Sequence, residues 1–426
     1  MTSAFRDIAI EDLCTKVTTG ATPLRSRSDY YEAGTIDWYK TGELKDWYLA
    51  PAAERITEKA LAETSAKLFP ADTVLMAMYG DGRTITSLGM LRAPAATNQA
   101  CSAMLVDNGK CDTRYFFYSL KSRRHLLLKV ASGGAQRNLS GKLIKEFTLP
   151  VPPLPVQRRI AGILSAYDEL IENSQRRIRI LKEMARALYR EWFVEFRFAG
   201  YEKLPRVGSP LGDIPQGWEV KTIAESFAVS GGGTPSRKEA SYWDDGTVQW
   251  FAPSDLTAAG TMFMDDSPER ITELGLAKSS ARLFPAFSVM MTSRATIGAI
   301  SINTHEACTN QGFITCLPNE RVPLYFLFHW LTENVPTFQR MASGATFKEI
   351  SRGIFKTIEF LHPSPALVRH FESLIEPMAE QMLALQRQIQ NLRRTRDMLL
   401  PRLLSAPRLM SEKRTGKSSR GALPQY

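Results

Sequence analysis

Along residues 160–192 the apolar positions step alternately by four and three: Ile160, Leu164, Tyr167, Ile171, Ser174, Ile178, Leu181, Ala185, Leu188 and Trp192, with Ser174 a polar member. This is the seam of a long helix that needs a partner helix. A second run, Met382, Leu385, Ile389, Leu392, Arg396, Leu399 and Leu403, keeps the rhythm and predicts that partner. Pro377 is expected to disturb its early part and Pro401 its end. The leads "LPVPPLP" at 149–155 and "HPSP" at 362–365 keep earlier helix from running into either. A helix from 157 to 196 would span about 60 Å at 1.5 Å per residue, longer than a small domain. That length favours a helix pair over two helices each lying on its own domain. Elsewhere the period changes. Runs such as "DTVLMAMYG" (72–80) and "FSVMMTSRATIGAISI" (287–302), punctuated by Gly, Pro and Asn, predict short strands in mixed α/β domains.

The two non-helical stretches are copies of each other. "TGATP" at 19–23 returns as "GGGTP" at 231–235, and "DYYEAGTIDW" at 29–38 as "SYWDDGTVQW" at 241–250, both shifted by 212. "ERIT" at 54 recurs at 269, "LFP" at 68 at 283, "TNQA" at 97 becomes "TNQG" at 309, and "ASGGA" at 131 becomes "ASGA" at 342. The predicted organisation is an α+β chain with one domain at 1–155, a spacer helix at 156–198, a second domain at 199–365, a second spacer helix at 366–405, and a basic tail at 406–426 expected to be disordered. Two equal domains and two long helices suggest an antiparallel pair used as a ruler.

Charge narrows the partners. Fifty-four Lys and Arg against 44 Asp and Glu draw the 426-residue chain toward a polyanion, nucleic acid first. A membrane is disfavoured, because the longest apolar run, "PLYFLFHWL" at 323–331, falls far below the roughly 20 residues that span a bilayer. The N-terminus lacks a signal-peptide layout, so a cytoplasmic location is expected. Five cysteines with no Cys-x-x-Cys argue against a disulfide framework or zinc ribbon, and His305, Cys308 and Cys316 lack a fourth ligand.

"TIDWYKTGELKD" at 35–46 presents Asp37, Glu43 and Lys45 in the order in which many nucleases carry two metal-binding carboxylates and a lysine. In the second copy these positions are Gln249, Asp255 and Thr257, and Gln cannot replace a metal-binding charge. What both copies keep is Gly34 with Trp38 and Gly246 with Trp250, a turn and a packing aromatic. No methyltransferase, dinucleotide-loop or ATPase signature appears either. The enzyme reading survives only as an alternative, that of a metal-dependent nuclease lost in Asp37→Ala. A further alternative is a basic scaffold that binds DNA without sequence preference.

Two diverged domains on a basic chain suit the reading of two DNA patches across an unread gap. Candidate contacts are charged and amide residues in Gly- and Ser-rich loops: Arg25 and Arg27; Tyr79, Asp81 and Arg83 in "YGDGR"; Gln136, Arg137 and Asn138 in "GGAQRN"; Arg237 and Lys238; Ser293 and Arg294; Thr346 and Lys348. Positions that differ between the copies are the better readers, since one scaffold must carry two preferences. Asn98–Gln99 and Asn310–Gln311, shared by both, are expected to be turn residues.

The arrangement resembles the specificity subunit of type I restriction-modification enzymes. The resemblance rests on "TGATPLRS" and "GGGTPSRK", on "GTIDW" and "GTVQW", on the exit "ASGGAQRNLSGKLIKEFTLPVPPLPVQRRIAGIL", on "IPQGWEV" at 214–220 and on the ending "RDMLLPRLLS". The first copy lacks the Ile-Pro-x-Gly-Trp lead-in, and the second reaches its helix through "LHPSPALVRHF". The resemblance implies two target recognition domains separated by two antiparallel coiled-coil helices, each reading half of a split, asymmetric double-stranded DNA site. Their centres would lie roughly one turn of about 10 bp or somewhat more apart. It implies two modification subunits docked on the helices, motor-nuclease restriction subunits beyond them, and no membrane partner. No cofactor is expected in this chain; S-adenosylmethionine, ATP and Mg are expected in the partners. Tyr189 and Trp192 are the candidate partner contacts, and no catalytic residue is expected.

Overall fold

The computed structural model describes residues 5–80, 84–131, 137–344 and 348–404. They fall into two compact units, the first taking residues up to 172 and from 389 onward, the second residues 173–388.

In the first unit a four-stranded antiparallel sheet runs in the order Cys14–Thr19, Cys101–Val106, Val74–Ala77, Leu88–Met90. "VLMA" is buried at every position, as a central strand covered on both faces requires. Beside it Ile36–Tyr39 pairs antiparallel with Arg55–Ile56 and parallel with Ala96–Thr97. The entry strand Arg6–Ala9 and the exit strand Thr148–Val151 pair antiparallel, closing the repeat just before its long helix begins at Leu154.

The second unit repeats this plan. Its sheet order is Ala228–Gly231, Phe313–Leu317, Val289–Thr292, Ile300–Asn303, with Phe263–Met264 added in parallel at the edge. Val248–Phe251 pairs antiparallel with Glu269–Ile271 and parallel with Ala307–Thr309. Glu219–Thr222 and Glu359–His362 close the repeat as their counterparts do. The duplication read from short words is therefore a duplication of strand order and register.

Leu154–Phe193 and Pro365–Leu404 are the two long helices, 40 residues each, and they run antiparallel. The second stays helical through Pro377 and Pro401, so neither proline breaks it. Each ring removes one backbone donor, and the helix packs on its neighbours across both positions. In the first unit Ile160, Ala161 and Leu164 bury against Leu400 and Leu404. In the second, Ala185, Tyr189 and Phe193 share a core with Phe371, Ile375, Ala379 and Met382.

The seam departs from its predicted register at several positions, most consistently toward the end of each helix. Ile160, Leu164, Ile171, Ser174 and Ala185 are buried as expected, but Tyr167, Leu188 and Trp192 are only half-buried while Asp168, Tyr189 and Phe193 are buried. On the second helix Leu400 and Leu404 replace Leu399 and Leu403. An α-helix turns in 3.6 residues, so a stripe read at 3.5 drifts by one position over several turns.

Candidate nucleic-acid interface

Each repeat builds the same platform from matched side chains. Trp38 donates its indole N–H to the Ala21 carbonyl at 3.0 Å, and Trp250 does the same to Gly233 at 3.0 Å. Thr22 donates to Gln99 at 2.5 Å and Thr234 to Gln311 at 2.7 Å. Asn98 and Asn310 turn the chain by accepting the N–H two residues on, from Ala100 at 3.2 Å and Gly312 at 2.8 Å. The Asn-Gln pairs are thus turn residues, as read. Gly20 and Gly232 lie against the carbonyls of Thr97 and Thr309, where a Cβ would collide with backbone.

Arg25 and Arg237 belong to this platform. Arg25 stacks on Tyr31 and Trp38 at 4.7 and 4.8 Å and reaches Glu54 at 2.5 Å. Arg237 stacks on Trp243 at 3.6 Å and makes a two-bond fork with Glu269 at 2.6 and 2.7 Å. That fork holds the Glu269 carboxyl below its ordinary range. Lys40 and then Arg25 do the same for Glu54. Arg27 is engaged by Asp29 at 2.8 and 2.7 Å and stacks on Tyr30. Lys238 is exposed.

The nuclease-like order has a structural explanation. Glu43 accepts the backbone N–H groups of Lys40 and Ala53, both at 2.8 Å, and Asp255 accepts that of Ala252 at 2.8 Å, so an acid here caps a turn in both repeats. Asp37 pairs with Arg55 at 2.8 Å, and Lys45 is exposed. Among the described residues no group of three or more His, Cys, Asp or Glu is placed to hold a metal ion.

The described ends of the loops nominated from sequence are brought together. In the first repeat Tyr79 and Asn138 are cross-strand partners of an antiparallel bridge, and Leu139 donates to the Met78 carbonyl at 2.9 Å. In the second, Arg294 and Glu349 are bridge partners, Ile350 donates to Ser293 at 3.0 Å, and Ala295 donates to Lys348 at 3.0 Å. Tyr79, Asn138, Arg294 and Lys348 are exposed. Beside Arg294 lies a hollow of about 500 Å³ lined by Ser254, Thr257, Asn310 and Gln311 among others. Asp81, Arg83, Gln136, Thr346 and the basic tail lie outside the described residues, as does the side chain of Arg137.

Two nominations need correction. Ser293 is 1% exposed, buried directly after the fully buried strand Val289–Thr292, so its hydroxyl is not at the surface. Tyr189 is 3% exposed, packed on Phe326, His329 and Phe371 at 5.7 to 5.8 Å, so its ring lies in the core and not on the helix surface. The one-position drift of the seam puts it inside. Trp192 stays half-buried against His370 at 5.2 Å. Sequence reading missed Glu349, whose only signal was its place three residues after "SGAT".

The fold and its junctions define a class, a protein presenting two versions of one loop platform with a pair of long helices. The profile described as "Type I restriction modification DNA specificity domain" matches residues 3–183 and 215–366. The type I restriction enzyme MjaIX specificity subunit of Methanocaldococcus jannaschii is 25% identical over 403 residues, spanning 91% of this chain and 90% of that protein. The HindI specificity subunit of Haemophilus influenzae is 22% identical over 320 residues, 62% of this chain and 69% of its own. The crystal structure of the S subunit of a type I restriction-modification system from M. genitalium superposes with a TM-score of 0.62 at 16% identity, covering 94% of this chain and 96% of that one, a likeness of fold.

The chain belongs to the type I restriction-modification DNA specificity family. Its family-level function is that of the DNA-specificity subunit of such a complex, a non-catalytic place in the assembly.

Proposed function

We propose that each repeat, 1–155 and 199–365, reads one half of a split, asymmetric duplex site, mostly in the major groove. The helices 156–198 and 366–405 set the gap and dock two modification subunits, to which motor-nuclease subunits add. Adenine methylation with S-adenosylmethionine and cleavage with ATP and Mg belong to those partners. The observation that carries the reading is a platform held by matched residues in both repeats, with unmatched residues where Tyr79 faces Asn138 and Arg294 faces Glu349. A shared scaffold with divergent tips is what two sequence preferences on one fold require. Docking is supported by apolar residues left exposed on the first long helix, Leu170 in the first unit and Met184 in the second, both 50% exposed. Trp192 remains a candidate contact there. Arg25, Arg27, Arg237 and Lys238 suit phosphate positioning rather than base reading, since the three arginines are oriented by carboxylates.

Exchange of residues 16–150 for the equivalent stretch of another family member tests independence of the repeats. Replacement of one half-site with the other kept is expected. Loss of both contradicts the reading, and binding without preference among duplexes favours the scaffold alternative.

A further inference from the structure

The duplication supplies an internal comparison that separates scaffold from reader. Trp38 and Trp250, Thr22 and Thr234, Arg25 and Arg237, and Glu43 and Asp255 keep their partners in both repeats. At the junction the match breaks although the backbone does not. Tyr79 opposite Asn138 carries no charge, whereas Arg294 opposite Glu349 carries one of each sign.

The Arg294–Glu349 pair is also unlike the scaffold forks. Its nearest approach is 3.9 Å, against 2.6 and 2.7 Å for Arg237 and Glu269. Both side chains stay nearly half exposed, 48% and 42%. The adjoining hollow of about 500 Å³ leaves room before Arg294, with Ser254 and Thr257 among the residues on its wall.

An arginine fork needs two adjacent acceptors, and in the major groove only guanine offers them, as O6 and N7. An ionised glutamate accepts only, and the cytosine of the same pair offers its N4 amine. Adenine shows one acceptor and one donor, and thymine one acceptor and a methyl, so an A·T pair leaves the fork half-used.

We propose that the cross-strand pair at this junction sets each repeat's base preference, and that Arg294 and Glu349 select a G·C pair in the second half-site through guanine O6 and N7 and cytosine N4. The inference rests on the half-site reading above.

The test is selection from a random duplex pool by the full chain assembled with its modification subunits, for wild type, Arg294→Ala, Arg294→Lys, Glu349→Gln and the double exchange Arg294→Tyr with Glu349→Asn. Wild type is expected to return two words. Arg294→Ala should lose discrimination at one G·C position of one word by roughly ten- to a hundredfold. Arg294→Lys should keep binding strength but relax that same position, since a lysine is a point charge and not a fork. Glu349→Gln should relax the cytosine requirement, and the double exchange should change the position outright. In every variant the other word stays as it was, which also shows that the chain has folded. An unchanged second word in Arg294→Ala overturns the inference while leaving the half-site reading standing. A wild type that returns no words overturns both.

Discussion

Asp168 and Arg396 occupy seam positions that a helix pair ordinarily fills with apolar side chains. Their side chains are 4% and 12% exposed, they form an ion pair, and the Asp168 carboxylate also accepts the Tyr118 hydroxyl at 2.6 Å. Arg396→Met leaves a buried carboxylate without its counter-charge and is expected to destabilise the first unit by roughly 3–5 kcal/mol in chemical denaturation. Adding Asp168→Leu should recover most of that loss. A single substitution as mild as the double would mean that the pair carries little. Glu372 gives a second residue-scale prediction. It accepts the Phe326 N–H at 2.6 Å near the start of the helix Leu324–Met341, and burial, with Glu376 adding to it, pushes its carboxyl from 4.5 up to about 7. A raised carboxyl binds its proton more tightly when folded, so its contribution is complete below 4.5 and lost as pH climbs through about 7. Stability of wild type relative to Glu372→Gln should therefore fall across that window and level off above it. A constant difference across the window would remove the assignment.

At the scale of elements, much was legible because periodicity and repetition survive in a single sequence. The long helices follow from apolar steps of three and four, and the duplication from ordered short words. What escaped was register, since a one-position drift over several turns changes which of Leu188 and Tyr189 lies inside without changing the pattern. The candidate site was half legible. Arg294 and Asn138 stood out as polar residues in Gly- and Ser-rich loops, but their cross-strand partners lie 55 and 59 residues away in sequence and follow only from strand pairing. The stacking of Arg25 on Trp38 and of Arg237 on Trp250, each on the strand that follows its loop, has no local signature in sequence. The shared backbone contacts give an element-scale prediction. Gly20→Ala and Gly232→Ala each drive a Cβ into a carbonyl of the neighbouring strand and should cost about 1–3 kcal/mol in thermal unfolding, alike in the two repeats. A neutral effect in either would mean that the strand junction yields there.

For the whole molecule the chain is +10, and phosphate contacts by a basic protein make DNA binding fall steeply with salt whatever the sequence. Affinity alone therefore cannot separate a specificity subunit from a basic scaffold, whereas a preferred gap between two words can. Deleting one heptad within 171–190 should change that gap and neither word. A change in the words instead would remove the spacer role from the helices. The most direct measurement is selection of bound duplexes from a random pool, at moderate salt, by the wild-type chain co-expressed with its modification subunits. Two short words at one fixed gap are expected; a single word, or none, would overturn the split-site reading.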